Sequence, residues 1–525
     1  MATSISSIFA KMTPMLIFSC FCLLTGDMLF GYDTASFGGI LANPGFVNQF
    51  GSYNPATHKY AFTSIHTSML SSMPFIGKFI GCLAAGPAIE RVGHRLVFFG
   101  LAVVSVIGVI IEITASGSSN GSGRYAQFLI GRIIVYISIG LVEVTVTTYQ
   151  SEIVPAPMRG FVVVSLQWFL NAGAIVANGV NKAMSTSTGP SGWRTVTGVQ
   201  FIFPALIALF TIFIPDSPRW LLSKDREDDA VASLRRLRPK ADIDAGACEE
   251  EVQAIKEALK EQVHKAPWMD LVRGKNLRRT TIVMVTYFFQ QVTGQAFVST
   301  YQTTFLKTNG FAAEAFTYPL INSCLSFVAV VPGMIMTDRF GRRFDLLFSF
   351  FFQAVWMFCL AGVGEKSVRS TTENNFLVAA LMLYNLFYNI GGASVPYVVG
   401  SEIPNSALRE KTQAVGTSWN VVWAFVTNFV IPYIINNIHF QVGWVFGSLA
   451  CLAFVYTFMF LPETKGLALE EIDAIFDVPY SPFRKTRVHY NAAAMRVGRL
   501  EGEAEHDQDE ERSNNDGKSE AVVRS

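Results

Sequence analysis

The stretch Glu90-Arg91-Val92-Gly93-His94-Arg95 has a counterpart in Asp338-Arg339-Phe340-Gly341-Arg342-Arg343, which begins 338−90=248 residues later. An acidic residue, an arginine, a glycine and two further basic residues recur in the same order. A second stretch, Ser151-Glu152-Ile153-Val154-Pro155, returns as Ser401-Glu402-Ile403-Pro404 after 401−151=250 residues. Two different motifs that recur at nearly one spacing predict a chain made of two similar halves.

A third motif has the same spacing. Pro215-Asp216-Ser217-Pro218 is matched by Pro462-Glu463-Thr464-Lys465, an offset of 462−215=247 residues. An arginine also follows each repeated glutamate by seven residues, since Arg159 and Arg409 give 159−152=7 and 409−402=7. The duplication therefore extends through most of the chain.

Between these motifs lie apolar runs of about 20 residues, a length that crosses a bilayer as a helix. The composition agrees, because 15% of the residues are charged where soluble proteins carry roughly 25%. Twelve runs are predicted as membrane helices, at 15–36, 62–84, 96–115, 127–148, 160–180, 196–214, 280–301, 316–336, 346–364, 376–400, 414–436 and 443–461. The run Gly391 to Pro396 is rich in glycine and proline, so the helix that contains it is expected to be broken.

The predicted fold class is therefore an all-α membrane protein with twelve transmembrane helices in two six-helix bundles. Residues 1–214 are predicted to form the N-terminal bundle and 280–461 the C-terminal bundle. A charged cytosolic linker is expected at 215–279, and a cytosolic tail at 462–525 that becomes disordered towards its end.

The distribution of cations orients this arrangement. Arginines cluster in the short connections that are cytosolic if the N-terminus is cytosolic, as the positive-inside rule requires. Both termini are then predicted to be cytosolic, and the chain is expected to be a multi-pass protein of the plasma membrane. The triplet Asn120-Gly121-Ser122 falls in a predicted outer loop, so Asn120 is a candidate glycosylation site and the protein a candidate glycoprotein.

Several classes of function are excluded. A net charge of +1 gives no reason to expect nucleic acid as a partner. The seven cysteines have neither metal-ligand nor disulfide-framework spacing. No nucleophile, metal cluster or phosphate-binding glycine loop occurs in the soluble segments, so neither an enzyme, a cofactor nor a metal site is expected. The expected partners are a small solute, a proton and the lipid bilayer, and the chain is expected to be a monomer.

The duplicated charges suggest a mechanism. Two parallel repeats place a substrate site between halves that rock against each other. Carboxylates and guanidiniums at their cytosolic ends can form charge-assisted pairs that break when that side opens, although static helix-end charges are the alternative. The candidate cytosolic gate consists of Glu90, Arg91, Arg95, Glu152, Arg159, Asp338, Arg342, Arg343, Glu402 and Arg409.

Acids inside membrane helices are functional candidates because a charge there is costly. Asp33 lies late in the first helix, and Arg132 lies near the start of the fourth on the same predicted side. A carboxylate whose contact with a cation changes with conformation can take up and release a proton. Glu143, 143−132=11 residues after Arg132, returns to nearly the same helix face and could bond a polar substrate or pair with a cation. Structural roles are equally open for it, and are favoured for Asp27, Lys78 and Glu112.

Taken together, these motifs resemble those of the sugar porter family of the major facilitator superfamily, in the style of a fungal member. The resemblance runs from Phe30 to Glu471. It is carried by Gly31-Tyr32-Asp33, Gly86-Pro87 through Arg95, Gly131-Arg132, Pro215 through Leu221, Gln290-Gln291, Asp338 to Arg343, Pro462 through Gly466, and Leu469-Glu470-Glu471. It implies a twelve-helix fold that works by alternating access and moves sugars or polyols, by facilitation or with a proton.

The resemblance also implies roles for individual residues. Asp33 and Arg132 match the proton-coupling pair of the family's symporters. Residues at its sugar-contacting positions, and hence candidates for substrate binding, are Phe30, Gln167, Gln290, Gln291, Tyr301, Tyr397 and Asn420. Departures from the family pattern occur at Ala296, Ser326, Tyr397 and Val421, so a disaccharide, a polyol, a sugar acid or another sugar-like metabolite stays open as the solute.

The predicted function is transport of a sugar or sugar-like solute by alternating access, as a proton-coupled symporter. An exporter of a polar sugar-like metabolite is the first alternative, because rocking halves run either way with the gradient. A non-transporting sugar sensor is the second, although the acidic tail is short for signalling.

Overall fold

The computed structural model describes residues 13–55, 58–115, 122–154, 159–244, 246–261, 267–366, 368–405 and 408–465, together with Leu467, Ile472, Ile475 and Phe476. This part of the chain is almost wholly helical. Its strands are one short antiparallel hairpin, Ser52–Asn54 with Lys59–Ala61.

Helices lie at all twelve predicted positions, numbered here as segments 1 to 12 in chain order. Those of the first half are Pro14–Ala42 (1), Ser64–Ser72 continued by the first part of Pro74–Thr114 (2), the rest of Pro74–Thr114 (3), Ser122–Ile153 (4), Arg159–Ala183 (5), and Pro190–Val199 with Ile202–Thr211 (6). Those of the second half are Gly274–Val292 with Gln295–Thr300 and Gln302–Thr308 (7), Thr317–Phe340 (8), Arg342–Gly364 (9), Thr371–Phe387 with Val395–Glu402 (10), Arg409–Ile438 (11) and Val442–Phe460 (12). Short further helices are Pro44–Phe50 after segment 1 and His439–Gln441 before segment 12.

Eight helical stretches in the described residues are long and apolar enough to cross a membrane. Two of them, Ser64–Thr114 and Lys411–Phe460, each hold two segments. Backbone reversals divide them, at Gly93 (φ 82) and at His439 (φ 45). The two segments outside these stretches, 5 and 7, carry amide side chains that face other helices, which lowers their hydropathy.

Two segments of the second half are broken helices. In segment 7 the break is at Gly294, which has a φ of 111, a value that glycine adopts at little cost. In segment 10 a π-helical turn, Tyr388–Gly392, precedes Val395–Glu402, which has a proline in its first turn. The break predicted within Gly391 to Pro396 is therefore present, and it leaves backbone carbonyls of both helices available to side chains.

The halves meet at one end of the bundle. We call this end, which holds Ala42 and Ser64 and is predicted to be extracellular, the outer end, and the opposite one, which holds Gly93 and Gly341, the inner end. At the outer end Lys307 Nζ donates to the Ala42 carbonyl at 2.8 Å. Ser68 Oγ donates to the Phe429 carbonyl at 2.6 Å. Each of these bonds joins the two halves.

The apolar cores follow the same division. One cluster at the outer end contains residues of both halves, among them Phe37, Trp193, Phe297 and Phe305. At the inner end each half has a core of its own, one around Tyr149 and the other around Tyr287, Phe350 and Phe476. The structure is thus closed at the outer end and divided at the inner end, which corresponds to an inward-facing arrangement in the predicted orientation.

The described part of the predicted linker contains four helices, Pro218–Ser223, Glu227–Leu237, Lys240–Asp244 and Ala247–Glu261, followed by the 3₁₀-helix Trp268–Val272. The helices share a small apolar core that includes Leu234 and Cys248. Segment 7 begins at Gly274, so this helix starts six residues before the predicted start of the second bundle at 280. Residues 477–525 of the predicted tail lie outside the described residues.

Candidate functional site

Asp33 and Arg132 are brought together inside the first half. Arg132 Nη2 lies 3.4 Å from Asp33 Oδ2, and both side chains are fully buried. Gln200 of segment 6 donates to the other carboxylate oxygen, Asp33 Oδ1, at 2.6 Å. The carboxylate is therefore held by one cation and one neutral amide, a partner set that can change with conformation.

The guanidinium of Arg132 packs against an aromatic ring and leaves two of its three nitrogen atoms without a hydrogen bond. Its Cζ lies 3.7 Å from the ring centroid of Phe37, a cation–π arrangement. Its Nε and Nη1 have no hydrogen-bond partner. Glu112 of segment 3 is also buried, interacts electrostatically with Arg132, and has an Oε1 without a hydrogen bond. Arg132 is thus a buried cation with unused donors between two acids.

Three of the predicted binding amides form one network between segments 7 and 11. Asn420 Nδ2 donates to Gln290 Oε1 at 2.7 Å, and Gln290 Nε2 donates to the Ala393 carbonyl at 2.7 Å. Gln291 Nε2 donates to Asn420 Oδ1 at 3.1 Å. The Ala393 carbonyl, which accepts from Gln290, is made available by the break in segment 10. Gln291 is the more exposed of the two glutamines and so the one open to a solute.

The other predicted binding residues differ in burial and in location. Phe30, Gln167 and Tyr397 are half-buried, as groups that line a cavity would be. Tyr397 packs edge-on against Tyr287 with ring centroids 5.4 Å apart. Tyr301, in contrast, belongs to the outer core and donates to the Asn428 carbonyl at 2.6 Å. It also borders an outer cavity of about 240 Å³ that contains none of the amides.

Sequence reasoning missed an asparagine network that joins both halves. Asn171 of segment 5 donates to Asn389 Oδ1 of segment 10 at 3.2 Å. Asn389 in turn donates to Ser326 of segment 8 at 3.2 Å, and Asn385 donates to the same hydroxyl. Asn178 donates to Ser323 at 2.8 Å. The available signal was the spacing of amides and hydroxyls by four or seven residues in apolar runs, which puts them on one helix face.

A second buried ion pair lies on the first half. Lys78 Nζ of segment 2 is 3.0 Å from Glu143 Oε2 of segment 4. The ammonium also lies 4.4 Å from the ring centroid of Phe30. Glu143 therefore does pair with a cation, and it does not share a partner with Arg132.

At the inner end of the first half, the gate residues contact one another within that half. Glu152 accepts from Ser217, and its Oε2 lies 3.7 Å from His94 Nε2. Arg95 donates to the Thr211 and Ile212 carbonyls at 3.3 and 3.1 Å, and its Nη1 lies 3.8 Å from Asp216. Burial raises the pKa of the Asp216 carboxyl, and the Arg95 guanidinium opposes that rise.

The second half repeats this arrangement. Glu402 accepts from Thr464 Oγ1 at 2.6 Å and from Arg342 Nη2 at 2.8 Å. Arg343 donates to the Phe458 carbonyl. Thr464 stands where Ser217 stands in the first half, and Arg342 where His94 stands. The sequence repeat is thus a repeat of contacts.

The remaining gate candidates make fewer polar contacts through their described side chains. Arg91 and Asp338 are exposed, and no ion pair reaches either of them in the described part of the chain. Glu90 contributes its carbonyl, which accepts from Trp220 Nε1 at 3.3 Å. Arg409 is half-buried with an unbonded Nε. The Arg159 side chain and Asn120 lie outside the described residues. Within those residues, no ion pair of the gate set joins the two halves.

Comparisons with known proteins agree with this architecture. A family model described as "Sugar (and other) transporter" matches residues 19–476. A high-affinity glucose transporter of Schizosaccharomyces pombe is 29% identical over 488 residues, which are 91% of this chain and 90% of that protein. A major facilitator-type transporter of Aspergillus rugulosus is 29% identical over 487 residues, 89% of this chain and 88% of that protein.

Among solved structures, the inward open conformation of the xylose transporter XylE from E. coli aligns with a TM-score of 0.73 at 23% identity. The alignment covers 88% of this chain and 99% of that chain. The proton:xylose symporter XylE bound to a bromo-deoxyglucose aligns with a TM-score of 0.72, also at 23% identity and with the same coverage. At this level of identity, the likeness shows a common fold.

Proposed function

Because the chain belongs to the sugar (and other) transporter family, whose members are multi-pass membrane transporters and not enzymes, we propose that it imports a sugar or sugar-like solute across the plasma membrane together with a proton. Relatives that match it over most of their length are named as transporters of glucose, fructose and other hexoses. Both termini and the linker lie in the cytosol in this proposal, as the distribution of arginines favours.

One observation carries the proton coupling, namely the buried contact between Asp33 and Arg132. In the inward-facing arrangement Arg132 and Gln200 hold the carboxylate. Asp33 is proposed to carry the proton, and its contacts with Arg132 and Gln200 are proposed to change as the halves rock. The proton then crosses the membrane with the conformational change and not through a channel.

The solute is proposed to bind between the halves. Gln167 and Phe30 lie on the first half, and Gln291, Asn420 and Tyr397 on the second, with Gln290 orienting Asn420. Neutral amides suit a sugar because each offers a donor and an acceptor, and an aromatic ring covers the apolar face of a pyranose. We include Tyr301 in the outer closure, since its hydroxyl is already bonded there.

The inner-end charges act as the cytosolic gate. Each set is bonded within its own half in the inward-facing arrangement, around Glu152 in one half and Glu402 in the other. In the outward-facing state the two ends are proposed to meet, and Arg91, Asp338 and Arg409, which have unused polar atoms, would then bond across the halves.

The decisive experiment is uptake in a host that lacks its own sugar transporters. Labelled hexoses, pentoses, polyols and sugar acids are supplied one at a time while the external pH is recorded. The expected result is accumulation of at least one solute with alkalinisation of the medium. Proton movement coupled to efflux of a loaded solute, without uptake, would indicate an exporter.

Asp33→Asn tests the coupling residue directly. It keeps the shape of the side chain but cannot carry the charge, so accumulation against a gradient should be lost while exchange of solute across the membrane persists. Asp228→Asn in the exposed linker is the control and should behave as wild type. Full accumulation by Asp33→Asn would contradict the assignment.

A further inference from the structure

The Lys78–Glu143 pair is not required by the fold. Burial of an ion pair in a membrane protein is costly, and a pair of well-packed apolar side chains would serve the packing as well. The pair also lies apart from Asp33 and Arg132, which have partners of their own. Such a pair is retained most simply because one of its members contacts the solute. This inference rests on the proposed transport function.

The carboxylate is more exposed than the ammonium. The Lys78 side chain is 4% exposed and the Glu143 side chain 16%. Lys78 is covered by the ring of Phe30. Glu143 Oε2 receives both Lys78 and the Cys82 thiol, the latter at 3.6 Å. In the described part of the chain, no hydrogen bond reaches the second oxygen, Oε1.

Glu143 lies within electrostatic range of the opposite half, at the hydroxyl groups of Tyr287 and Tyr397, which belong to segments 7 and 10. Tyr397 and Gln291, both half-buried, are neutral groups of that facing wall. A solute between the halves would therefore meet the free oxygen of Glu143 on one side and uncharged groups on the other.

A second carboxyl group lies near Glu143. Asp27 of segment 1 is 8% exposed, lies within electrostatic range of Glu143, and has an Oδ2 without a hydrogen bond. The ammonium of this cluster, that of Lys78, contacts Glu143 and the Phe30 ring, and its side chain is 4% exposed, so it is covered from a solute anion.

We propose that Glu143 is a substrate-binding residue and that the solute presents hydrogen-bond donors to it, either hydroxyl groups or an ammonium group, but never a carboxylate. An ionised carboxylate only accepts hydrogen bonds, and a bond to it is about twice as strong as one between neutral groups. Lys78 is the positioning residue, since it offsets the charge of Glu143 and fixes its Oε2. A sugar acid would place a second negative charge beside Glu143, so the site takes sugars, polyols or amino sugars and excludes sugar acids.

The test compares solutes that differ in charge at similar size. Uptake of the best neutral solute is measured in the presence of excess glucosamine, glucose or gluconate. With wild type, glucose or glucosamine should compete, and which of them competes better distinguishes the hydroxyl from the ammonium. Gluconate should not compete even at hundredfold excess. Competition by gluconate as strong as that by glucose would overturn the proposal.

The variant Lys78→Gln/Glu143→Gln removes both charges without leaving one of them unpaired. The KM for the neutral solute should rise about tenfold, the effect of losing one charged hydrogen bond, and the discrimination against gluconate should shrink. Glu143→Asp, which keeps the charge and shortens the reach, should raise KM less and retain the discrimination. The matched control is Arg235→Gln/Glu249→Gln, an exposed pair in the linker, which should leave KM unchanged.

Surface abundance, measured by a fluorescent tag, separates the outcomes. An unchanged KM in the double variant at normal abundance overturns the role of Glu143 but leaves the transport function standing. Failure of wild type to transport any solute at normal abundance overturns both. If the double variant does not reach the surface, Glu143→Asp decides, because an unchanged KM for that variant also contradicts the proposal.

Discussion

At the scale of single residues, the chain depends on glycines where helices come very close. A Cβ added to Gly31 would lie 1.9 Å from the Leu170 carbonyl oxygen, so segments 1 and 5 are in backbone contact there. Small residues permit such approaches between membrane helices. This contact is beside Asp33, and it sets the position from which the carboxylate meets its partners.

Gly31→Ala should therefore destabilise the first half. Overpacking of this kind costs about 1–3 kcal/mol, and the backbone oxygen cannot move aside as a side chain could. The measurement is the melting temperature of the purified protein in detergent. Gly179→Ala is the control, because a Cβ there meets no atom within 4 Å. Equal melting temperatures for the two variants would contradict the prediction.

Residue types in the site were readable from the sequence, but their partners were not. Asp33 and Arg132 stand out because charges are rare in membrane helices. The bonds of Asn420 to Gln290 and Gln291 link positions 420−290=130 residues apart, and only the packing of segments 7 and 11 decides them. Tyr301 matches an aromatic position of the family, and its side chain lies in the outer core.

At the scale of elements, the apolar runs predicted every membrane segment, and their ends were less accurate. Segment 4 was expected at 127–148 and extends over Ser122–Ile153. Such extensions are polar turns beyond the apolar run, for which hydropathy gives no signal. Segment 7 was expected as one helix, and it has breaks that hydropathy does not register.

The break in segment 7 gives a prediction at this scale. Gly294→Ala should destabilise the protein for two reasons, since alanine is strained at a φ of 111 and its Cβ would lie 3.0 Å from the Phe446 ring. The strain alone costs about 1–2 kcal/mol. Gly310→Ala has a similar φ, 97, but no neighbour within 4 Å. The melting temperature should fall for both variants and fall further for Gly294→Ala; the opposite order would show that the ring contact is unimportant.

At the scale of the whole molecule, the repeat predicted two halves and a hinge-like division between them. It did not predict which end would be closed. Repeated contacts, such as Glu402 with Thr464 and Glu152 with Ser217, are internal to each half and are compatible with either state. The closed end is decided by contacts that have no repeat, among them Lys307 with Ala42.

Gly38 offers a test of that closure. A Cβ at Gly38 would lie 2.6 Å from the Thr300 carbonyl oxygen, which belongs to the other half. Gly38→Ala should consequently disfavour the inward-facing state while leaving each half intact. In intact cells the KM for external solute should fall and the maximal rate of net uptake should fall with it. Gly179→Ala again serves as control, and an unchanged KM would contradict the idea that this contact is specific to the closed outer end.

The single outer core shared by both halves also has a consequence for turnover. An empty carrier has to pull this core apart, including the contact of Phe297 and Phe305 with the first half, without help from a bound ligand. We expect this return step to be the slowest of the cycle. Solute that binds from the cytosol would accelerate the return step, because the carrier then returns while it transports that solute outward. Cells preloaded with unlabelled solute should therefore take up labelled solute faster than empty cells do.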